Sequence, residues 1–498
     1  MTIKDKILPV LEVDPAAGAV EQDGQWLSWG QLKHMIDGVG RLLSAAGVAE
    51  GSPVGLLCRN RPEHVGALSG VICADCCLLP INPFTSPDKV CGDVAELDLP
   101  VLVASVEDWQ LPGLLELARA QQMMAIAFQG TDVFCLKGLE RPGQRQYRAP
   151  MPGVAIEMLS SGTTGKPKRI KLSTENLEKG LVGKGRVENG KPVLARSAGL
   201  VGAPLVHISG IFWVLSHMVE GRTSALLDRF SVASWVGAVK RHGLRYAGLV
   251  PTGIKMLLDA DVPKEDLASL KCVRSGTAPL PVELQKAFED KYGIPVLNQY
   301  GATEFAGAVI GWTLEQRKQY GDSKPGSVGK AFPGVQVQIV DAESGEPVPS
   351  GATGLLSIKA PQLGGKDWIR TTDLASVDAD GFVWIRGRAD NAIIRGGFKI
   401  VPSEVVAILE QHPWILHASV VGLPHERLGQ VPVAAVQLRP GVPTPSVEEL
   451  RRWSKERMTS YFVPVDFRVV DALPRTPSMK VSEPDVKALF NAADYQAA

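Results

Sequence analysis

The pattern that most limits the fold is an alternation of short apolar runs with helix-spaced stretches, kept up from about residue 26 to residue 300. Ser28 with Gln31 makes a capping box, and Leu32, Met35, Ile36, Val39, Leu42 and Leu43 follow at helical spacing, with Gly47 as the stop. Strands are expected at Pro53 to Cys58, Leu78 to Ile81, Pro100 to Ala104 and Met123 to Phe128, with a helix from Pro62 to Cys77 among them. The rhythm resumes with strands at Leu200 to Ala203, Ser224 to Leu227, Tyr246 to Val250, Lys271 to Arg274 and Val296 to Tyr300. Helices are expected between them at Ile208 to Val219, Val232 to Lys240 with Ser231 as cap, and Pro281 to Lys291. Such alternation predicts an α/β fold with mostly parallel sheets flanked by helices.

From about residue 326 the texture changes to short strands separated by turns, at Gly334 to Val340, Gly354 to Lys359 and Phe382 to Arg386, which predicts a small β subdomain over about 326–390. Helix and strand patterns then alternate again, enough for a small α+β domain of its own. A chain of 498 residues is too long for one core, so a large N-terminal domain, 1–390, and a small C-terminal domain, 391–498, are expected. Lys plus Arg and Asp plus Glu balance at 53 each without runs of like charge, which argues against nucleic acid or an anionic membrane as partner. The most apolar stretch, Val65 to Ile81, contains Asp75 and Pro80 and fits a buried helix and strand better than a membrane span. The first residues lack a sustained apolar segment, which points away from secretion, and an odd count of seven Cys suits a reducing cytoplasm. Cys73 and Cys76 form a CxxC with no second pair or His at zinc spacing, and read more readily as small buried residues than as a metal or redox site.

Several strands open onto polar loops at their carboxyl ends, the edge where open α/β sheets bind ligands. The first loop, Ser160-Ser161-Gly162-Thr163-Thr164-Gly165-Lys166-Pro167-Lys168, holds hydroxyls, glycines and cations that can wrap a polyphosphate. It fails the Walker A pattern, because Ser160 stands where the first Gly belongs and Pro167 where Ser or Thr belongs. The plain alternative is a solvated connector. The second loop is Ser275-Gly276-Thr277-Ala278-Pro279, and the third, 300–304, is Tyr300-Gly301-Ala302-Thr303-Glu304, following Asn298-Gln299 at the end of its strand; the three loops make one candidate site. Beside a polyphosphate, the Glu304 carboxylate would hold Mg²⁺; alone, Thr303 and Glu304 read equally well as an ordinary helix start. Tyr300 can stack a base or sit in the core. Asp373 and Arg388 can meet ribose hydroxyls or be surface turn residues, and His207 by itself reads more as packing than as a catalyst. Lys480 alone is a surface lysine.

In order and spacing, these motifs resemble the acyl-adenylate-forming superfamily, which includes acyl-CoA synthetases, peptide-synthetase adenylation domains and luciferases. The likeness runs from about Trp26 to Lys480. It implies that 160–168 is the phosphate loop, that Gly276, Thr277, Ala278 and Asn298 to Gly301 bind the nucleotide, and that Thr303 and Glu304 serve catalysis and Mg²⁺. It implies further that Asp373 and Arg388 contact the ribose, that Asp390 is a hinge and that Lys480 is the catalytic lysine. His207, Ile208, Gly210, Ile211, Val250, Gly276 and Phe305 would line the acyl pocket, with Gly397 and Lys399 toward CoA. The implied reaction is attack of a carboxylate on the α-phosphate of ATP, giving acyl-AMP and pyrophosphate, then displacement of AMP by the thiol of CoA. Thr372 and Met479 depart from the glycines common in the family at those places.

The mostly apolar pocket implied by the resemblance points to an aryl, alicyclic or medium-chain fatty acid, with no charged group evident in wait for a charged substrate. No carrier domain follows residue 498, which favours CoA as acceptor; a separate carrier protein or another acceptor stays open. A non-catalytic binder is disfavoured by the presence of Thr303, Glu304 and Lys480, and an NTPase by the failed Walker A match. The sequence leaves room for a homodimer.

Overall fold

The computed structural model describes all residues except 1, 160–168, 182–184, 303, 304, 306, 364, 366, 390, 391, 396, 397, 426, 477–479 and 491–498; at 159, 186, 398 and 399 it describes the backbone alone. The chain divides into two compact units. One takes the described residues of Met1–Ser160, Lys168–Pro325 and Ala360–Lys366, the other those of Gly326–Lys359 and Asp367–Ala498.

The first unit is built on a seven-stranded sheet in the order Asp132–Cys135, Met124–Gln129, Val101–Ser105, Pro53–Leu57, Cys77–Ile81, Val154–Leu159, Arg169–Ser173. The five inner strands run parallel and each outer strand is antiparallel to its neighbour. Pro53–Leu57 and Val101–Ser105 are buried along their whole length, which is why they read as continuous apolar runs. One face packs Val54, Leu56, Val103 and Ile126 against Leu32, Met35 and Val39 of the helix Trp29–Ala45 and Val65 and Leu68 of the helix Pro62–Cys73. The other packs Leu57, Leu79, Leu102 and Ala125 against the helices Pro87–Ala95 and Leu114–Ala120.

A second sheet in this unit sets Tyr246–Gly248, Cys272–Ser275 and Val296–Ala302 parallel, with Gly307–Gly311 antiparallel to the last. Val273 and Val296 pack with Trp235 from the helix Val232–His242 before these strands, and with Ile254, Leu257, Phe288 and Tyr292 from the helices between them. A small third sheet orders Gly199–Val201, Ser224–Leu226, Gly18–Gln22 and Gln25–Ser28. The α/β class is as expected. Strands that follow one another in sequence are nevertheless dealt to three sheets, a partition that hydrophobic period does not encode. The capping boxes at Ser28 and Ser231 are both formed, the latter with Ser234.

In the second unit Gly329–Ala331, Phe382–Arg388, Ile369–Val377, Gly354–Lys359 and Gln336–Val340 lie side by side in that order. A further sheet orders Phe398–Ile400, Ile393–Arg395, Gly429–Leu438 and Ile415–His425, with Phe467–Val470 parallel to Gly429–Leu438. Val405 and Leu409 of the helix Pro402–Leu409 and Leu450 of Val447–Lys455 cover it. The division between units falls at Gly326, where the sequence reading places the start of the β-rich stretch. Residue 390, the expected boundary, lies outside the described residues.

Candidate active site

The strands Cys272–Ser275 and Val296–Ala302 are adjacent and parallel, with Ser275 opposite Asn298. Their carboxyl ends therefore open on one edge, with 275–279 beside 298–302; the strand runs on through Ala302, so residues 300–302 of the expected loop 300–304 belong to the strand. Ser275 is fully buried, and its Oγ has no hydrogen-bond partner among the described residues. A Cβ at Gly276 would stand 3.0 Å from the Gln299 carbonyl oxygen, so the two loops meet there backbone to side chain. Thr277 adopts a left-handed φ of 68°, a conformation that costs a β-branched residue energy and collects at binding sites. Asn298 is buried; its Oδ1 accepts from Gln299 N at 3.0 Å and its carbonyl accepts from Trp312 N at 3.3 Å. Tyr300 is partly buried with its ring 6.3 Å from that of Phe305, which is 1% exposed. Gly301 sits at a bulge, where a Cβ would come within 2.3 Å of the Gly307 carbonyl oxygen. The glycine thus permits the close approach of the two strands at the bulge; Thr303 and Glu304 lie outside the described residues.

Residues 160–168 also lie outside them, but their flanks are informative. Val154–Leu159 and Arg169–Ser173 pair antiparallel up to Leu159 opposite Arg169, so the segment closes a hairpin. A Walker A loop runs from a strand into a helix N-terminus, and here a strand follows, in agreement with the failed sequence match. The hairpin is anchored by Glu157, whose fully buried carboxylate receives Arg148 Nη2 at 2.7 Å on both oxygens, with Arg169 Nη1 at 3.9 Å.

Asp373 and Arg388, each alone readable as a surface turn residue, stand directly opposite each other, Asp373 in the middle of Ile369–Val377 and Arg388 at the end of Phe382–Arg388. Arg388 Nη1 is 3.9 Å from Asp373 Oδ1, and Arg388 Nη2 donates to Thr372 Oγ1 at 2.6 Å. Lys480 follows an outside stretch, 477–479; its carbonyl accepts from Thr476 N at 2.7 Å, and Arg475 and Val481 form an antiparallel bridge. Asp390 and Gly397 lie outside the described residues, and Lys399 is placed by its backbone in the strand Phe398–Ile400.

The expected acyl-pocket positions sort into different surroundings. His207 is the N-cap of the helix Ile208–Val219, with its carbonyl accepting from Gly210 N and Ile211 N at 3.1 and 3.2 Å. Ile208 and Ile211 are buried in the main core, and a Cβ at Gly210 would meet the Pro204 carbonyl oxygen at 2.3 Å, so this glycine serves the close seating of the first helical turn. Val250 caps the helix Pro251–Asp259. Sequence reasoning passed over Arg274, whose guanidinium lies 6.0 Å from the Trp213 ring and 5.9 Å from the Tyr246 ring. Its signal is a cation that interrupts the apolar Cys272-Val273 immediately before Ser275-Gly276.

Among the described residues no group of three or more His, Cys, Asp or Glu side chains is placed to hold a metal, and Glu304, the expected Mg²⁺ ligand, is not one of them. Cys73 and Cys76 are buried free thiols, and burial pushes them up to about 12 and about 11, which keeps them protonated and inert as their apolar reading implies.

Residues 10–365 match the profile of the AMP-binding enzymes, and residues 404–480 that of the AMP-binding enzyme C-terminal domain. The chain belongs to the AMP-binding enzyme family. Within it, the protein groups with the acid–CoA ligases. It is 30% identical over 485 residues to the sulfoacetate–CoA ligase of Cupriavidus necator, covering 92% of this chain and 91% of that one. It is 26% identical over 493 residues to the 2-succinylbenzoate–CoA ligase of Bacillus subtilis, covering 96% of each. The fatty acid–[acyl-carrier-protein] ligase ScoC of Streptomyces coeruleorubidus is 26% identical over 495 residues, covering 96% of this chain and 94% of that one. The AMP-binding fold is shared with ATP-bound MatB from Rhodopseudomonas palustris, at a TM-score of 0.83, 22% identity and 100% coverage of both chains. It is shared also with o-succinylbenzoate CoA synthetase of Bacillus subtilis in complex with ATP and magnesium ion, at 0.77, 24% identity, and 97% and 99% coverage. The AMP-binding enzyme described here has, among its described residues, no helix long and apolar enough to cross a membrane.

Proposed function

We propose that this AMP-binding enzyme is an ATP-dependent carboxylic acid:CoA ligase that forms acyl-AMP and pyrophosphate, then acyl-CoA and AMP. The observation that carries the reading is that both family domains are matched in order through to Lys480, while Asp373 faces Arg388 where a ribose contact is expected. In this reading the hydroxyls and lysines of 160–168 grip the phosphates. Asn298 to Gly301 and Gly276 to Ala278 seat the adenosine, and Asp373 accepts from the ribose hydroxyls. Glu304 with Thr303 would hold Mg²⁺, which supplies neutralisation of phosphate charge. Lys480 neutralises charge that builds on the carboxylate and α-phosphate oxygens during attack. A swing of the C-terminal domain, 391–498, about Asp390 would exchange this arrangement for one that admits the thiol. His207, Val250 and Phe305 flank the acyl group, with Gly397 and Lys399 toward CoA. The apolar surroundings of Ile208, Ile211 and Phe305 support an acid with an aryl, alicyclic or medium-chain body. Seven free cysteines, five of them buried, fit a reducing cytoplasm.

The similarity to a fatty acid–[acyl-carrier-protein] ligase favours a second reading, in which the same adenylate passes to a carrier protein. Carboxylate-dependent ATP–pyrophosphate exchange, run over a panel of acids with and without CoA, tests both. Exchange with an acyl-CoA product is the expected result. Exchange without a thioester moves the acceptor to a carrier protein, and its absence with every acid removes the ligase.

A further inference from the structure

We infer that the acid activated by this enzyme carries a second anionic group, a carboxylate or sulfonate at the end remote from the carboxylate that is adenylated, and that Arg274 receives it. The inference rests on the ligase reading and narrows its substrate class.

Side chains alternate across the strand Cys272–Ser275. Val273 packs into the core beneath the following helices, and Ser275 is fully buried, whereas Arg274 points to the opposite face and is exposed. That face meets Trp213, from the helix that His207 caps, and Tyr246, from the neighbouring strand; their rings lie 6.0 and 5.9 Å from the guanidinium carbon. Arg274 therefore joins the two elements expected to bound the acyl group: the helix Ile208–Val219 and the strand that ends at Ser275-Gly276.

Several arginines of this unit meet carboxylates, whereas Arg229 lies over the Phe84 ring at 5.1 Å. Arg59 is held on Asp108, Arg148 on Glu157 and Arg317 on Glu289. The Arg274 backbone is paired in the sheet, and its carbonyl accepts from Leu249 N at 2.9 Å, but its guanidinium makes no ion pair or hydrogen bond among the described residues and lies against rings instead. Ring contacts fix a guanidinium and leave its N–H edge open to a planar or trigonal oxyanion. Guanidinium stays charged at any working pH, so a neutral acyl tail laid against it would strip its water without replacing it. An anionic terminus would pair it, and the apolar body of the acid would still rest on the Trp213 ring.

The test is ATP–pyrophosphate exchange by the full chain over chain-matched sets: a monocarboxylic acid, the dicarboxylic acid and the ω-sulfo acid of equal length, in aliphatic and aryl series. The expected result is a kcat/KM at least about tenfold higher for an anionic member than for its neutral counterpart, the size of one charge-assisted contact. The carboxylate and sulfonate arms tell which oxyanion is preferred. In R274M the ratio of anionic to neutral kcat/KM falls by about the same factor, and R274K retains part of it. Thermal melts of both variants within a few degrees of wild type keep a folding defect out of the ratio. A wild type that prefers neutral acids, or a ratio unmoved in R274M, overturns the inference and leaves the ligase standing. Exchange with no acid removes the ligase reading, and this inference with it.

Discussion

Asp373 and Arg388 occupy directly opposed positions on two antiparallel strands, with Oδ1 and Nη1 3.9 Å apart. Opposed residues share one face of a sheet, so an acceptor and a donor are carried at fixed spacing by the pairing of these two strands. If the pair reads the ribose, Asp373→Ala raises the KM for ATP by roughly 10–100-fold, the range of hydrogen bonds to a charged group. Wild type also loses affinity for 2′-deoxy- and 3′-deoxy-ATP, whereas Asp373→Ala loses little more with either, because the partner is already gone. Additive losses would take Asp373 out of the ribose contact.

In the proposed reaction Lys480 acts on the first half-reaction only. Lys480→Ala is expected to lower acyl-AMP formation by at least about 100-fold, the scale of one electrostatic contact realised in the transition state. Thioester formation from supplied acyl-AMP should stay near the wild-type rate. Single-turnover measurements of the two halves separate these effects, and an equal loss in both would contradict the assigned role.

The buried Glu157–Arg148 pair yields an asymmetric prediction. Arg148→Ala strands a buried carboxylate and should cost about 3 kcal/mol, whereas Glu157→Gln keeps the shape without the charge and should cost less. Both loosen the hairpin that brackets 160–168, so both should raise the KM for ATP more than that for the acid. Urea titration followed by exchange kinetics checks the order of the two variants.

His64 supplies a pH dependence. Its ring is fully buried, edge-on to Phe128 at 4.8 Å, with Nδ1 3.0 Å from the Leu57 carbonyl oxygen. Burial pushes the imidazole down from 6.5 to about 3, and the Leu57 carbonyl only partly opposes this. Below the ordinary histidine range the unfolded chain takes up a proton that the native site refuses. Stability contributed by neutral His64 is therefore complete above 6.5 and is lost as pH falls toward 3, at up to about 1.4 kcal/mol per pH unit. Melting temperatures between pH 7 and 5 should fall less steeply in His64→Phe than in wild type, and parallel slopes would show that another group governs this window.

Local signals proved most readable. Ser28 with Gln31 and Ser231 state their helix starts outright, because capping is a contact between near neighbours. The helix Ile3–Leu11 went unassigned although Thr2 and Asp5 form a capping box, since Pro9 falls in its last turn and breaks the expected pattern. The strand Ile369–Val377 was likewise passed over: its polar Thr371-Thr372-Asp373 reads as a turn and becomes a strand only through pairing with Phe382–Arg388. The surroundings of Arg274 are illegible in the sequence for the same reason. Trp213 and Tyr246 come to it from separate elements, and only the packing of helix on sheet brings the rings together. The adjacency of 275–279 and 298–302 followed from strand order, which βα alternation does predict.

Leu159 pairs with Arg169, so residues 160–168 begin and end at one rung of a ladder. Their ends are already brought together when the domain folds, and the closure entropy, about 2 kcal/mol beyond a constant for a segment of this size, is not charged to nucleotide capture. Because that entropy grows only with the logarithm of length, inserting a residue or two should change ATP affinity by a few tenths of a kcal/mol at most. If 160–168 grips the nucleotide, discrimination would then reside in the chemistry of the hydroxyls and lysines between the two anchor points, with the Glu157–Arg148 pair holding the flanking strands as a clasp.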